Sequence, residues 1–141
     1  MEFSKIIAVT GKPGLFEILS QTKTGVIVKS IVDGKRFPIT ATHNVSLLEN
    51  IAIYTYEEEV PLAKVIKNIA DKENNGESIS HKEKDSTLIS YFGEVLPNFD
   101  EERVYASNIK KVIQWYNSLV KAGFDFSTLN EKQAVSSEEE E

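Results

Sequence analysis

Two kinds of sequence pattern meet at residues 51–61, IAIYTYEEEVP. Before this stretch, short apolar and β-branched runs alternate with turn residues, a pattern typical of strands. After it, as far as Phe126, apolar residues recur at the spacing of amphipathic helices. The sequence therefore predicts an α+β protein with a small SH3-like β-barrel over residues 1–56 and a helical C-terminal unit over residues 57–126. Residues 127–141 turn polar and end in four glutamates, which predicts a disordered acidic tail.

The β part is predicted to contain five short strands. They cover residues 5–10, 15–19, 26–32, 35–40 and 51–56. A loop with one helical turn around Leu47 is predicted between the last two strands. Five short strands with a single late turn are the order of an SH3-like barrel, and an irregular sheet capped by the helices is the alternative interpretation.

The clearest local signal is Asp33-Gly34, which separates residues 26–32 from residues 35–40. A two-residue Asp-Gly loop favours a type I′ turn, because both central residues need a positive φ. The two runs are therefore predicted to form a hairpin. Pro38 has no N–H group to donate, so the second strand is predicted to be an edge strand or to carry a bulge.

Three helices are predicted in the C-terminal part from their start and stop signals. The predicted ranges are residues 61–73, 86–96 and 108–122. Glu57-Glu58-Glu59 suits the positive end of the first helix dipole. Residues 76–84 are predicted to be a flexible linker, and Gly123 is predicted to end the third helix.

The charge of the chain is unevenly distributed. Residues 1–56 carry six Lys and Arg against four acids, a net charge of +2, and residues 57–141 carry ten against eighteen, a net charge of −8. The overall charge of −6 repels phosphate backbones and argues against strong non-specific nucleic-acid binding. The mildly basic β part keeps a weaker form of that function open.

The composition and the motifs favour a cytoplasmic protein without recognisable chemistry. The chain has no cysteine, no apolar run of membrane-spanning length and no leader-like start. The spacing of Gly11-Lys12-Pro13-Gly14 differs from that of a phosphate-binding loop, so a β-turn is predicted there. His43 and His81 lack partners at zinc-ligand spacing and are predicted to be exposed loop residues. The sequence therefore predicts no catalytic residue, no cofactor and no metal site.

A binding surface is nevertheless predicted on the β part, where aromatic and basic residues occur together. Such combinations are used by barrel-type binders of peptides and of single-stranded nucleic acid. The predicted surface consists of Lys29, Lys35, Arg36, Phe37, Tyr54 and Tyr56. The alternative is that the rings fill the barrel core or its contact with the helices, and Trp115 is interpreted as a packing anchor.

Four segments together resemble an uncharacterised bacterial family of short cytoplasmic proteins, known only as a domain of unknown function. They are TGKPGLF at residues 10–16, DGKRFPI at 33–39, DEERVY at 100–105 and KKVIQWYN at 110–117. The resemblance extends to about Phe126. It implies a bacterial origin and a two-part layout, and it transfers no activity and no functional residue.

Three functions are compatible with these patterns. The leading hypothesis is a non-enzymatic module that binds another protein through the barrel edge or the groove between barrel and helices. The second is RNA or ribosome association through the basic hairpin, and the third is an enzyme of an unrecognised type. No membrane contact is predicted, and the sequence gives no indication of the oligomeric state.

Overall fold

The computed structural model describes residues 2–12, 14–40, 43–127 and 129. The strands are β1 Ile6–Val9, β2 Phe16–Gln21, β3 Gly25–Ser30, β4 Arg36–Thr40, β5 Val45–Leu47, β6 Ala52–Tyr54 and β7 Glu59–Pro61. The helices are α1 Leu62–Lys72, α2 Asp85–Val95 and α3 Ala106–Lys121, with single 3₁₀ turns at Phe3–Lys5 and Leu48–Asn50. The predicted α+β class is confirmed.

Strands β1 to β5 form one antiparallel sheet in the order β4-β3-β2-β1-β5. The chain crosses from one edge strand to the other between Thr40 and Val45. In this connection the His43 N–H donates to the Thr40 carbonyl at 3.0 Å, a turn that keeps the two Cα atoms within about 7 Å. The two residue steps from His43 to Val45, the first residue of β5, span at most about 7 Å. A flat five-stranded sheet separates its edges by about 19 Å, so this sheet has to curl.

The curled sheet is open, which corrects the predicted closed barrel. In the described residues, β4 and β5 each pair with a single neighbour. The physical reason lies in the two edges. Strand β5 has only three residues, and Pro38 in β4 has no N–H, so neither edge offers a long row of hydrogen-bonding groups. The prediction that Pro38 lies in an edge strand is confirmed.

The predicted fifth strand, residues 51–56, does not belong to this sheet. Val45–Leu47 supplies β5 in place of the predicted loop, the predicted single helical turn follows at Leu48–Asn50, and β6 pairs with β7 in a separate hairpin. Thr55 organises the turn of that hairpin, because its Oγ1 accepts the Glu58 N–H at 2.9 Å and donates to the Glu58 carbonyl at 2.5 Å. The three glutamates therefore lie in and after a β-turn, and α1 begins only at Leu62.

The β3–β4 hairpin confirms the pairing predicted from Asp33-Gly34, although its turn is longer than predicted. The strands end at Ser30 and resume at Arg36, so five residues form the loop. Gly34 has a φ of +77°, and Asp33 does not have a positive φ. The Asp33 carboxylate instead accepts the Lys35 N–H at 2.9 Å, and the Gly34 N–H donates to the Ser30 carbonyl at 3.0 Å. These bonds close a wider turn, so the type I′ prediction is wrong.

We expect Gly34→Val to lower the free energy of unfolding by about 1–2 kcal/mol, because a β-branched residue is strained at a φ of +77°. No heavy atom lies within 4 Å of the position that a Cβ would take, so backbone strain accounts for the whole effect. Gly34→Asn is the control, since Asn tolerates this region of φ. Denaturant unfolding measures both variants. Equal stability of the valine and asparagine variants would show that the loop has another conformation.

Two hydrophobic cores lie on opposite faces of the sheet. The inner core fills the curl and consists of Ile7, Val9, Phe16, Val28 and Ile39. The main core joins Ile6 and Leu15, on the other face of the sheet, to Phe92, Ile113 and Tyr116 of the helices. The β part and the helical part therefore fold around a shared core, and β1 contributes to both cores because its side chains alternate.

The connection between α1 and α2 is held against α3, which corrects the predicted flexible linker. Asn74 and Asn75 end α1 with φ values of +52° and +65°. The Asn117 side chain accepts the Ser78 N–H at 2.8 Å and the Ser78 hydroxyl at 3.0 Å. It also donates to the Ile79 carbonyl at 3.1 Å. One helical side chain thus satisfies three polar groups of the connection, which a sequence pattern does not reveal.

The ordered C-terminal part extends beyond the predicted boundary at Phe126. Leu129 is 1% exposed and belongs to the main core. Gly123 follows α3 with a φ of +78°, as predicted for its stop signal. The remainder of the predicted disordered tail, from residue 130 onward, lies outside the described residues. Within the described part of the chain, no helix has both the length and the apolar character needed to cross a membrane.

Candidate binding groove

A groove runs between α3 and the β part of the molecule. From α3 it is lined by Asn108, Lys111, Val112 and Trp115, which share one helical face because they follow the spacing i, i+3, i+4, i+7. The neighbouring face of α3 carries core residues such as Tyr116. Trp115 packs partly against the main core, so the core fixes the indole ring along the wall of the groove.

The groove has two compartments that share Lys111 and Trp115 as lining residues. The first has a volume of about 160 Å³ and is bounded by β6, with a mostly apolar wall that includes Ile51 and Ile53. The second has a volume of about 380 Å³ and is bounded by the turn after β1, including Lys12, and its wall is more polar. Lys111 and Trp115 thus form a wall that the two compartments share.

The groove is lined by cations. Lys12, Arg103 and Lys111 contribute to its walls, and no Asp or Glu is among the described lining residues. Within the described chain, no carboxylate oxygen lies within 4.0 Å of the Nζ atom of Lys12 or Lys111. Since the chain as a whole carries a charge of −6, the local charge of the groove opposes the general charge and attracts anionic groups.

Arg103 fixes one end of the groove. Its Nε lies 3.3 Å from Asp100 Oδ2, and its guanidinium lies 5.0 Å from the ring centre of Tyr54. Asp100 is buried and accepts the Glu102 N–H at 3.0 Å, so Arg103 and this amide compensate its charge. The Asp100 N–H donates to the Tyr54 carbonyl at 2.9 Å. These contacts tie the connection between α2 and α3 to β6.

Lys12 marks the other end of the groove. Its Nζ lies 4.9 Å from the ring centre of Phe37, and that ring packs edge-on against Phe16 at 5.1 Å. The turn that carries Lys12 has Gly11 at a φ of +88° and Gly14 at +85°. It connects β1 to β2 without a following helix, so the prediction of a turn in place of a phosphate-binding loop is confirmed.

Three aromatic residues of the predicted binding surface have different environments. Tyr54 lines the first compartment, whereas Phe37 contacts Lys12 but lines neither compartment. Phe37 also packs against the inner core, as the alternative interpretation predicts. Tyr54 and Tyr56 are 40% and 62% exposed. The Tyr56 hydroxyl accepts the Glu101 N–H at 3.3 Å, on the same connection that carries Arg103.

The three cations of the predicted surface lie on the β3–β4 hairpin, apart from the groove. Lys29 is directly opposite Arg36, and on its other side it is opposite Glu17. Side chains alternate along β4, so Arg36 and Phe37 point to opposite faces of the sheet. Lys35 lies in the exposed turn. The six predicted residues therefore do not form one continuous surface, and Glu17 offsets part of the hairpin charge.

The two residues that line both compartments, Lys111 and Trp115, are missing from the predicted surface. Helical periodicity assigns Lys111 to the polar face of α3 and Trp115 to the edge of its apolar stripe. Lys111 lies four residues before Trp115, so the two side chains are neighbours on α3. This pairing of a cation with an aromatic ring at the edge of the apolar stripe is the sequence signal for the groove. The approach of Lys12 to this wall depends on long-range packing, which no local pattern encodes.

The described residues show no further arrangement that indicates chemistry. No group of three His, Asp or Glu residues among them is placed to hold a metal ion. His43 and His81 are half-buried instead of exposed, and His43 Nδ1 accepts the Thr40 N–H at 3.1 Å. Burial raises the pKa of Tyr116 to about 12, and burial together with a hydrogen bond to Glu73 raises the pKa of Tyr91 further. Neither tyrosine lines the groove.

Comparison with known proteins places the chain among uncharacterised bacterial proteins. It matches two families described as domains of unknown function, DUF5606 over residues 3–48 and DUF6852 over residues 51–119. A solution NMR structure from Bacteroides vulgatus, a structural genomics target, is 42% identical to it, with a TM-score of 0.76. That match covers 89% of this chain and 91% of the other. At this identity and coverage, this chain belongs to the same family as that protein, a family of domains of unknown function. A comparison with curated proteins found no match.

The groove lies where the two segments matched by these domain models meet. The first segment ends at Leu48 and the second begins at Ile51. Lys12 belongs to the first segment, and Arg103, Lys111 and Trp115 belong to the second. The groove therefore exists only in the folded arrangement of both segments, and neither segment alone provides its walls.

Proposed function

We propose that this protein is a non-enzymatic binding module that receives a segment of another protein in the groove between α3 and the sheet. The observation that carries the proposal is the wall formed by Lys111 and Trp115, which borders both a mostly apolar compartment and a more polar one. Protein-binding sites concentrate their affinity on Trp, Tyr and Arg side chains that border a small apolar pocket. Here the mostly apolar compartment is bordered by Trp115, Tyr54 and Arg103.

The open edges of the sheet support docking less well than the groove does. Partner strands add to edges that present a continuous row of backbone N–H and C=O groups. Strand β5 has three residues, and β4 contains Pro38, so both edges are short or interrupted. Of the two docking surfaces that the sequence suggests, the barrel edge and the groove, the groove is the one that we propose.

The fold class and the cellular location extend the proposal. We propose that the curled sheet is an open variant of the SH3-like class, because its five short antiparallel strands enclose one inner core. Small sheets of this kind often act as binding modules. The absence of cysteine supports a role in the reducing environment of the cytoplasm.

We expect Lys111→Glu to reduce the capture of a protein partner at least about tenfold, since the change places a negative charge in the cationic groove. Tagged wild-type and variant proteins are incubated with RNase-treated bacterial lysate, and the bound proteins are quantified by mass spectrometry. Lys110→Glu is the control for charge, because it makes the same charge change one residue away on α3 and outside the groove, although it also removes an exposed ion pair with Asp85. A partner captured equally by all three proteins contradicts the groove as the binding surface.

RNA or ribosome association is the second candidate, because Lys29 and Arg36 lie side by side next to Lys35. If RNA is the partner, we expect Lys35→Glu combined with Arg36→Glu to lower RNA affinity at least about tenfold. The slope of log K against the logarithm of the salt concentration should become less negative by about 1.4, the value for two lost phosphate contacts to a single strand. Filter binding to a single-stranded RNA at several salt concentrations measures both effects. RNA retention that does not change in the double variant excludes this candidate.

A further inference from the structure

We infer that the groove accepts an extended acidic segment of a partner protein, in which one aliphatic or aromatic side chain is flanked by Asp or Glu. The inference rests on the proposed function and names the class of partner. Its first support is charge complementarity. Among the described residues, three cations and no carboxylate line the groove of a protein whose net charge is −6, so an anionic segment gains attraction there that it does not gain over the rest of the surface.

The second support is the pairing state of these cations. Asp100 already compensates Arg103 at 3.3 Å. Lys12 and Lys111 are exposed and have no carboxylate of the described residues within 4.0 Å. A neutral or basic segment that covered them would remove two uncompensated charges from water, which is unfavourable. Carboxylates on the partner supply the missing counter-charges.

The third support is the apolar compartment of about 160 Å³ beside Ile51 and Ile53. Its size and lining suit a single apolar side chain, which would act as the anchor of the segment. An extended peptide advances about 3.3 Å per residue. Because Lys111 and Trp115 line both compartments, a carboxylate within two or three residues of the anchor reaches Lys111, and one farther along reaches Lys12.

A nucleic acid fits the same groove less well. Binding to a single strand uses several bases stacked on exposed rings and a positively charged groove that follows the backbone. Here the indole of Trp115 packs partly against the main core, and only two of the three cations have no acidic partner among the described residues. The groove therefore offers one anchor and few charges, which matches a short acidic peptide.

The test uses the intrinsic fluorescence of Trp115, the single tryptophan of the chain. The 141-residue chain is titrated at low salt with the capped peptide Glu-Glu-Leu-Glu-Glu. Matched peptides are Lys-Lys-Leu-Lys-Lys and Glu-Glu-Ala-Glu-Glu, and an eight-nucleotide uridine RNA is the third probe. We expect saturable emission changes with the leucine acidic peptide, about tenfold weaker binding of the alanine peptide, and no saturation with the lysine peptide. Equal responses to the acidic and basic peptides, or a saturable response to the RNA alone, overturn the inference.

Two variants locate the response and separate this inference from the proposed function. Lys111→Glu should weaken binding of the leucine acidic peptide about tenfold, and Lys110→Glu should leave it unchanged. If the acidic peptide fails to change Trp115 emission while capture of a lysate protein still depends on Lys111, the inference is wrong and the proposed function stands. If neither the peptide nor a lysate protein depends on Lys111, both are wrong.

The chain itself contains the most direct competitor, the four glutamates at residues 138–141. The peptide titration is therefore repeated on the 141-residue variant E138Q/E139Q/E140Q/E141Q. A similar affinity in the wild-type protein and this variant supports a partner segment as the occupant. A response that appears only in the variant shows that the chain's own glutamates fill the groove, and it overturns the assignment to a partner.

Discussion

Replacing Tyr116 with alanine is expected to lower the free energy of unfolding by about 3–5 kcal/mol, the largest effect that we predict for a single side chain. The Tyr116 ring is fully buried and stacks on Phe126 with 5.1 Å between the ring centres. Its hydroxyl donates to the Gly76 carbonyl at 2.6 Å. Alanine would leave a cavity where α3, the connection after α1 and the segment after α3 meet. Equilibrium unfolding in urea measures the change, and a loss below 1 kcal/mol would contradict this packing.

Tyr116→Phe separates the hydroxyl from the ring and is expected to cost about 1 kcal/mol at pH 8. Burial raises the pKa of Tyr116 from 10.0 to about 12. Since the folded pKa lies above the unfolded one, the stabilising contribution of the hydroxyl is fully present below pH 10 and is lost as the pH rises from 10 toward 12. The stability difference between the wild-type protein and the variant should therefore shrink in that range. A difference that stays constant between pH 8 and pH 11 would contradict the burial of this hydroxyl.

The helices are predicted well because the information that defines them is local. In α3, Ile109, Val112, Ile113 and Tyr116 recur at helical spacing, and all four are buried. The end of the helical segment at Gly123 is equally readable, because glycine adopts the positive φ that follows a helix at little cost. Errors in the first residue of each helix amount to one or two positions, which is the range in which helix ends are intrinsically ill-defined.

Strand partners are predicted less well, because they depend on residues far apart in sequence. The alternation around Ile53 correctly indicates a strand, but it does not say which strand lies beside it. Ile53 pairs with Val60, and both are buried in the core that they share with the helices. The sheet instead recruits Val45–Leu47 as its fifth strand. That segment is too short to show an alternating pattern, so the sequence provides no signal for it.

The candidate site shows the same division between local and long-range information. A count of cations along the hairpin identifies Lys29 and Arg36 as a basic patch. Such a count does not reveal that Glu17 lies directly opposite Lys29 on the neighbouring strand. Conversely, Lys12 and Lys111 are far apart in sequence, and only the packing of α3 against the turn after β1 brings them to one groove. Residue types therefore suggest a binding protein, and the tertiary fold decides where it binds.

Gly25→Ala is expected to lower the free energy of unfolding by about 3 kcal/mol, at the upper end of the range for overpacking. A Cβ at Gly25 would lie 1.9 Å from the Ile39 carbonyl oxygen and 3.0 Å from the Thr40 Cα. Both atoms belong to the backbone of β4, which pairs with β3 here, so no side-chain rotation can relieve the overlap. The two strands would have to separate at this end of the sheet.

Gly93→Ala makes the same chemical change in α2 and is expected to have the opposite sign. The added Cβ would meet Phe99 Cε1 at 4.0 Å, an ordinary contact. Alanine is favoured over glycine inside a helix by about 0.5–1 kcal/mol, so this variant should be more stable than the wild-type protein. Urea unfolding of both variants under the same conditions provides the comparison. If Gly25→Ala is as stable as the wild-type protein or more stable, the close approach of β4 to Gly25 does not exist in the folded protein.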